Sequence, residues 1–216
     1  MRLTTWWYNP IYDISIDGQG GLLITADKDN GSSWSDIWAQ RLDSQEQPLW
    51  GDSGSLVINY PNSQLSPKIT YRSDGGAYIV WRDSRNGGSY YGDLYYQGLY
   101  PWGSQIWING GILIYSWDPW LYDVIPDGEG GFILHCGTGN YNFAFRVNSG
   151  GFLLWRRVPV SWWPWASIIE GEPGFFYLGY EDQNFTGIFA QRMDIHGNTY
   201  WPTFGSSAGA LVMTMD

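Results

Sequence analysis

A glycine-rich turn recurs four times in the same phase along the chain, and this constrains the fold more than any other feature. The turns are Asp17-Gly18-Gln19-Gly20-Gly21, Ser73-Asp74-Gly75-Gly76, Asp127-Gly128-Glu129-Gly130-Gly131 and Glu170-Gly171-Glu172-Pro173-Gly174. Each sits between a short β-branched run and an apolar one. Ile14-Ser15-Ile16 and Leu22-Leu23-Ile24 flank the first; Lys68-Ile69-Thr70 and Tyr78-Ile79-Val80-Trp81 flank the second. Glycine supplies the positive φ that tight hairpin turns need, so each repeat reads as a β-hairpin.

A third strand follows in every unit: Ile37 to Asp43, Leu94 to Leu99, Phe143 to Asn148 and Ile188 to Asp194. A turn then leads to Trp50, Trp107, Trp155 or Trp201. A fourth apolar segment ends the units at Ser55–Ile58, Ile112–Tyr115 and Ala210–Met213; the third unit offers only Arg157-Val158-Pro159-Val160. Linkers rich in aromatics and proline join the units, with Pro10, Pro67, Pro119 and Pro164 spaced 57, 52 and 45 residues apart.

Four short strands per unit of about 50 residues is the arithmetic of a propeller blade. The expectation is an all-β chain, residues 1–216 forming one β-propeller domain. Its four units cover about 6–60, 61–117, 118–161 and 162–216. Closure should bring Leu211-Val212-Met213 beside Ile14-Ser15-Ile16, unless two chains combine into a larger ring. A β-sandwich is the alternative fold.

Composition narrows function. The chain has 216 residues, a formal net charge of −10 and 19% aromatics, including 15 Trp. Phosphate backbones and anionic membrane surfaces repel such a charge, which argues against nucleic-acid partners. No apolar window is long enough for membrane insertion by a helix. The single cysteine, Cys136, excludes an intrachain disulfide and reads as a small buried hydrophobe.

At the glycine turn and third strand the sequence resembles a repeat of secreted and surface-anchored bacterial proteins. That repeat runs from Asp-Gly-x-Gly-Gly through Trp-x-Asp-x-Arg to Asp-Ile-Tyr-Ala-Gln-Arg-Leu-Asp and Leu-Trp. Trp81-Arg82-Asp83-Ser84-Arg85 matches its middle, Asp36 to Asp43 with Leu49-Trp50 its later part, and Ala190-Gln191-Arg192-Met193-Asp194 the fourth unit. His135-Cys136-Gly137 departs from it in the third. The resemblance implies a propeller-like fold and an extracellular or cell-surface location.

Candidate sites are few. Ser53, in Gly51-Asp52-Ser53-Gly54, has the look of a protease nucleophile, but no histidine precedes it; the only two are His135 and His196. Asp27, Asp29 and Asp36 form a weak Ca²⁺ set whose glycine spacing does not fit an EF-hand loop; turn capping is the plainer reading. Asp83, Asp123, Glu181 and Asp182 are carboxylates a glycosidase on a propeller scaffold would need, yet spacing selects no pair. Arg41 with Asp43, and Arg192 with Asp194, recur two apart on one strand face and read as a structural ion pair or turn lock, or as a polar binding site repeated per blade.

Linker aromatics Trp6, Trp7, Trp117, Trp120, Trp162, Trp163 and Trp165 read either as packing or as one exposed surface. The expectation is a non-catalytic extracellular module that recognises a glycan or protein through those tryptophans. The alternatives are a self-assembling structural subunit, hence a homo-oligomer, and a glycoside-active enzyme. No cofactor is expected apart from the weak Ca²⁺ set.

Overall fold

The computed structural model describes residues 12–32, 34–87, 92–107, 110–138, 141–157, 166–181, 187–201, 203–204 and 207–214. Among them are strands and turns and no helix. The chain divides into two compact units, Met1–Pro119 and Trp120–Asp216.

The first unit holds two antiparallel meanders. Sheet 1 runs Tyr12–Ile16 (β1), Leu22–Asp29 (β2), Ser35–Leu42 (β3) and Ser55–Ile58 (β4) in chain order. Sheet 2 repeats this with Gln64–Tyr71 (β5), Ala77–Asp83 (β6), Asp93–Leu99 (β7) and Ile112–Tyr115 (β8). In the second unit, sheet 3 runs Trp120–Pro126 (β9), Phe132–Thr138 (β10), Tyr141–Val147 (β11) and Leu153–Arg157 (β12). Sheet 4 follows with Ala166–Glu170 (β13), Phe175–Glu181 (β14) and Gly187–Asp194 (β15). A two-stranded hairpin, Thr203–Phe204 (β16) with Ser207–Ala208 (β17), precedes its last strand, Ala210–Thr214 (β18). Each sequence repeat therefore becomes one four-stranded sheet, not part of a two-sheet sandwich.

The glycine turns hold one register. Ile16 pairs Leu22, Tyr71 pairs Ala77, and Pro126 pairs Phe132. The Asp17 carboxylate accepts the amides of Gln19 at 2.8 Å and Gly21 at 2.7 Å; Asp127 does the same for Glu129 and Gly131. A Cβ on Gly21, Gly76 or Gly131 would lie 2.1 Å from the carbonyl oxygen of Leu42, Leu99 or Val147. Only glycine lets the third strand approach that closely.

Sheets bury their faces in pairs. Leu23, Ile37 and Val57 of sheet 1 pack on Ile69, Ile79 and Trp81 of sheet 2. Ile133 of sheet 3 packs with Ile168, Phe176, Leu178 and Met193 of sheet 4. A tryptophan seals each pair by a hydrogen bond. Trp50 Nε1 donates to the Pro101 carbonyl at 2.8 Å, and Trp155 Nε1 to the Ile195 carbonyl at 2.7 Å.

The last segment, β18, completes its own sheet beside β15, as β1 begins its own beside β2. Two expectations need correction. In the third unit the fourth strand is Leu153–Arg157, because pairing that is an isolated bridge after the same turn in the other units runs on there as a ladder from Val147–Leu153 to Ala144–Arg157; residues 158–160 lie outside the described residues. Arg41 pairs with Asp17, while Asp43 locks its own turn by accepting the Gln45 and Gln47 amides.

Candidate functional site

The arginines of the third strands come first, because two of them, Arg41 and Arg146, are buried with carboxylate partners. Arg41 Nε donates to Asp17 at 2.9 Å, Nη2 to Gln19 at 2.8 Å, and Nη1 to the Gly75 carbonyl of sheet 2 at 2.7 Å. Arg146 repeats the pattern with Asp127, Glu129 and the Ile195 carbonyl of sheet 4. Burial alone would raise the Asp17 carboxyl, but the two amides and Arg41 outweigh it and hold it below the usual aspartate range. Burial likewise opposes the charge on Arg146, but Glu129 and Asp127 raise its pKa. These groups staple turns to neighbouring sheets.

The acids proposed for Ca²⁺ are spread over separate tasks. Asp27 accepts the Ser66 amide, Asp29 the Gly31 amide, and Asp36 the Asn30 side-chain amide. Among the described residues no three His, Cys, Asp or Glu side chains gather as a metal site. Ser53 is exposed in the turn closed by the Gly54 amide on the Gly51 carbonyl.

Of the glycosidase candidates, Asp83 is buried and engaged by Trp81 Nε1 at 2.8 Å and by the Arg85 guanidinium. Asp182 lies outside the described residues. Glu181 ends β14, half-buried. Asp123 stands on β9, half-buried, directly across the ladder from His135 of β10, which is fully buried. A bulge follows His135, between it and Cys136. This carboxylate–imidazole neighbourhood escaped the sequence reading. Its signal was the break in the repeat at His135-Cys136-Gly137. Burial pushes the Cys136 thiol up, so it stays protonated and inert.

Among the linker aromatics, Trp117 is 83% exposed and holds φ at +83°, with Asp118 at +55° beside it. Two consecutive non-glycine residues in the left-handed region store strain, and such strain clusters at functional sites. Trp120 opens β9, partly exposed. Trp6, Trp7, Trp162, Trp163 and Trp165 lie outside the described residues. The structure adds an aromatic platform that linker reasoning passed over: Trp102, exposed, stacks on Tyr100 with centroids 4.7 Å apart and planes 6° from parallel. It sits in a turn between the third and fourth strands, not in a linker.

No protein-family model matches this chain. No curated protein matches it either. Solved structures do, over nearly the whole chain. A Hadza microbial sialidase matches with a TM-score of 0.59 at 13% identity, over 94% of this chain and 46% of its own. An α-L-arabinofuranosidase of the GH43 group from Clostridium thermocellum matches with 0.55 at 16%, over 95% and 72%. A prolyl oligopeptidase B from Galerina marginata gives 0.56 at 17%, over 95% and 27%. The chain thus spans under half of the sialidase and about a quarter of the peptidase. These likenesses establish an all-β, propeller-like fold of antiparallel four-stranded sheets. They also correct the functional expectation: the matching folds belong to enzymes that include glycoside hydrolases, so the fold does not support a non-catalytic binding module.

Proposed function

We propose that the chain supplies the propeller sheets of a glycoside-active enzyme. The observation that carries this reading is the likeness, over 94–95% of the chain, to the sialidase, the arabinofuranosidase and a GH43_1 enzyme from Xanthomonas citri complexed with xylotriose. Two kinds of residue support it. Glycoside hydrolysis uses carboxyl groups as acid, base or nucleophile. Asp123 is a half-buried carboxylate directly across the ladder from the buried His135. Glu181, on the same compact unit, is the second acid to be tested. Trp117, Trp120 and the Tyr100–Trp102 pair are flat apolar faces suited to stacking on sugar rings.

The test is hydrolysis of chromogenic arabinofuranosides, xylosides and sialosides by the whole chain. Turnover of at least one is expected. Asp123→Asn should lower kcat by about 10²-fold or more, the usual contribution of a general acid or base, with circular dichroism unchanged. Trp117→Ala should raise KM and spare kcat. A folded chain inert towards every glycoside overturns the reading.

A further inference from the structure

The chain contains the Asn-Gly steps Asn30-Gly31, Asn86-Gly87 and Asn109-Gly110. Asn109 lies outside the described residues. At such a step the backbone nitrogen of glycine can attack the asparagine side-chain carbonyl, because glycine puts no side chain in the way. The attack closes a five-membered succinimide and releases ammonia. Its rate depends on how the nitrogen, the carbonyl and the leaving amide are held.

The turn joining β2 to β3 holds all three. Asp29, Asn30, Gly31 and Ser32 are exposed there, and nothing lies within 4 Å of where a Cβ on Gly31 would be. Gly31, at φ +85°, donates its N–H to Asp29 Oδ1 at 2.7 Å. Asn30 Oδ1 accepts two hydrogen bonds, from the Ser32 amide at 3.1 Å and the Ser32 hydroxyl at 2.5 Å. Asn30 Nδ2 donates to Asp36 Oδ1 at 2.9 Å. An asparagine bonded to the amide two residues on turns its side chain back along the chain, towards the peptide nitrogen between them. Asn86-Gly87, between β6 and β7, is the same dipeptide without this setting. The Gly87 N–H donates to the Ser84 carbonyl at 3.0 Å, and Asn86 Nδ2 donates to Asp93 and Tyr95. Among the described residues, the Asn86 side-chain oxygen accepts no bond.

We propose that Asn30 is a self-modification site, which the folded turn converts to aspartate and isoaspartate without another protein. The Asp29 carboxylate takes the Gly31 N–H proton as general base. The Gly31 nitrogen bonds to Asn30 Cγ, while the Ser32 amide and hydroxyl stabilise the charge that gathers on Oδ1, as an oxyanion hole does. The Cγ–Nδ2 bond then breaks. Nδ2, with its two hydrogens and the proton held by Asp29, leaves as ammonia. Water adds to one or the other carbonyl of the succinimide and opens it to isoaspartate or aspartate. Aspartate at this position sets a carboxylate against Asp36, where Asn30 had donated a hydrogen bond. Isoaspartate also lengthens the backbone of the turn by one carbon. Each conversion adds one negative charge to a chain that already carries −10.

This inference is independent of the glycoside reading and is tested without substrate. The whole chain is incubated near neutral pH, and peptide mapping by mass spectrometry follows the amide-to-acid mass gain at each asparagine. Asn30 should convert at least about tenfold faster than Asn86 of the same molecules, a modest share of what a placed base and oxyanion donors supply. It should also convert faster in the folded chain than in guanidinium chloride, since the fold assembles the setting. Ser32→Ala and Asp29→Ser change only exposed turn residues and should fold normally by circular dichroism. Each should slow Asn30 several-fold and leave Asn86 as it was; slowing by either supports the assignment. Equal rates at Asn30 and Asn86 overturn it. So does a folded chain slower at Asn30 than the unfolded one, or a rate that neither substitution lowers.

Discussion

Arg41 and Arg192 stand in nearly the same string, Ala39-Gln40-Arg41-Leu42-Asp43 and Ala190-Gln191-Arg192-Met193-Asp194, yet they end in different surroundings. Both strings form a third strand, and both glutamines act alike. Gln40 Oε1 accepts the amides of Arg41 and Trp50; Gln191 Oε1 accepts those of Arg192 and Trp201. The arginines then diverge. Arg41 is sealed with Asp17 between two sheets, while Arg192 meets Glu172 at the surface at 2.6 Å and lies over the Phe175 ring. Gly171 stands where the first repeat has Asp17, and Arg192 keeps about a quarter of its side chain exposed. A short string settles strand and turn. The depth of its charge depends on a residue some twenty positions upstream and on what covers the sheet.

Substitutions can break this contrast. Asp17→Asn leaves the Arg41 guanidinium buried without its counter-charge, and should cost about 3 kcal/mol in urea denaturation. Glu172→Gln, at the exposed counterpart, should leave the midpoint where it is. Equal losses would mean that burial does not distinguish the two pairs. The apolar version is smaller. Val57→Ala opens a void under sheet 2 and should cost about 2 kcal/mol. Val212→Ala, measured on dilute single chains, should stay within about 0.5 kcal/mol.

How much of this was legible in the sequence follows the same division between local and distant. Glycine spacing gave the hairpins, and apolar runs placed β4 and β8 to the residue, because turns and strands are decided over a few neighbours. Of the two readings of Asp43 and Asp194, the turn lock is what each does, accepting two turn amides, while the arginines pair with Asp17 and Glu172, since spacing along one strand says nothing about the turn across the sheet. At the candidate site, exposure of Trp117 was one of two readings, and its left-handed backbone was not visible at all. Asp123 was named among four acids, but its pairing with His135 depends on the ladder between β9 and β10.

The smallest effect expected sharpens the comparison at low pH. Burial works to raise both Asp17 and Asp194, but hydrogen bonds win in each case. For Asp17 these are the Gln19 and Gly21 amides and Arg41; for Asp194, the Asn198 side chain and amide, the Tyr200 hydroxyl and the His196 amide. Both carboxyls are held below their ordinary value, so the folded chain binds these protons more weakly than the unfolded one. Their stabilisation is therefore complete above the ordinary aspartate value, about 4, and is lost as pH falls through the depressed folded values. Urea midpoints should be flat from pH 7 to about 5 on this account and then decline. Asp17→Asn and Asp194→Asn should each flatten part of that acid decline, one in each compact unit, while lowering the plateau at neutral pH. An acid decline unchanged in both variants would show that these two aspartates are not what acid releases.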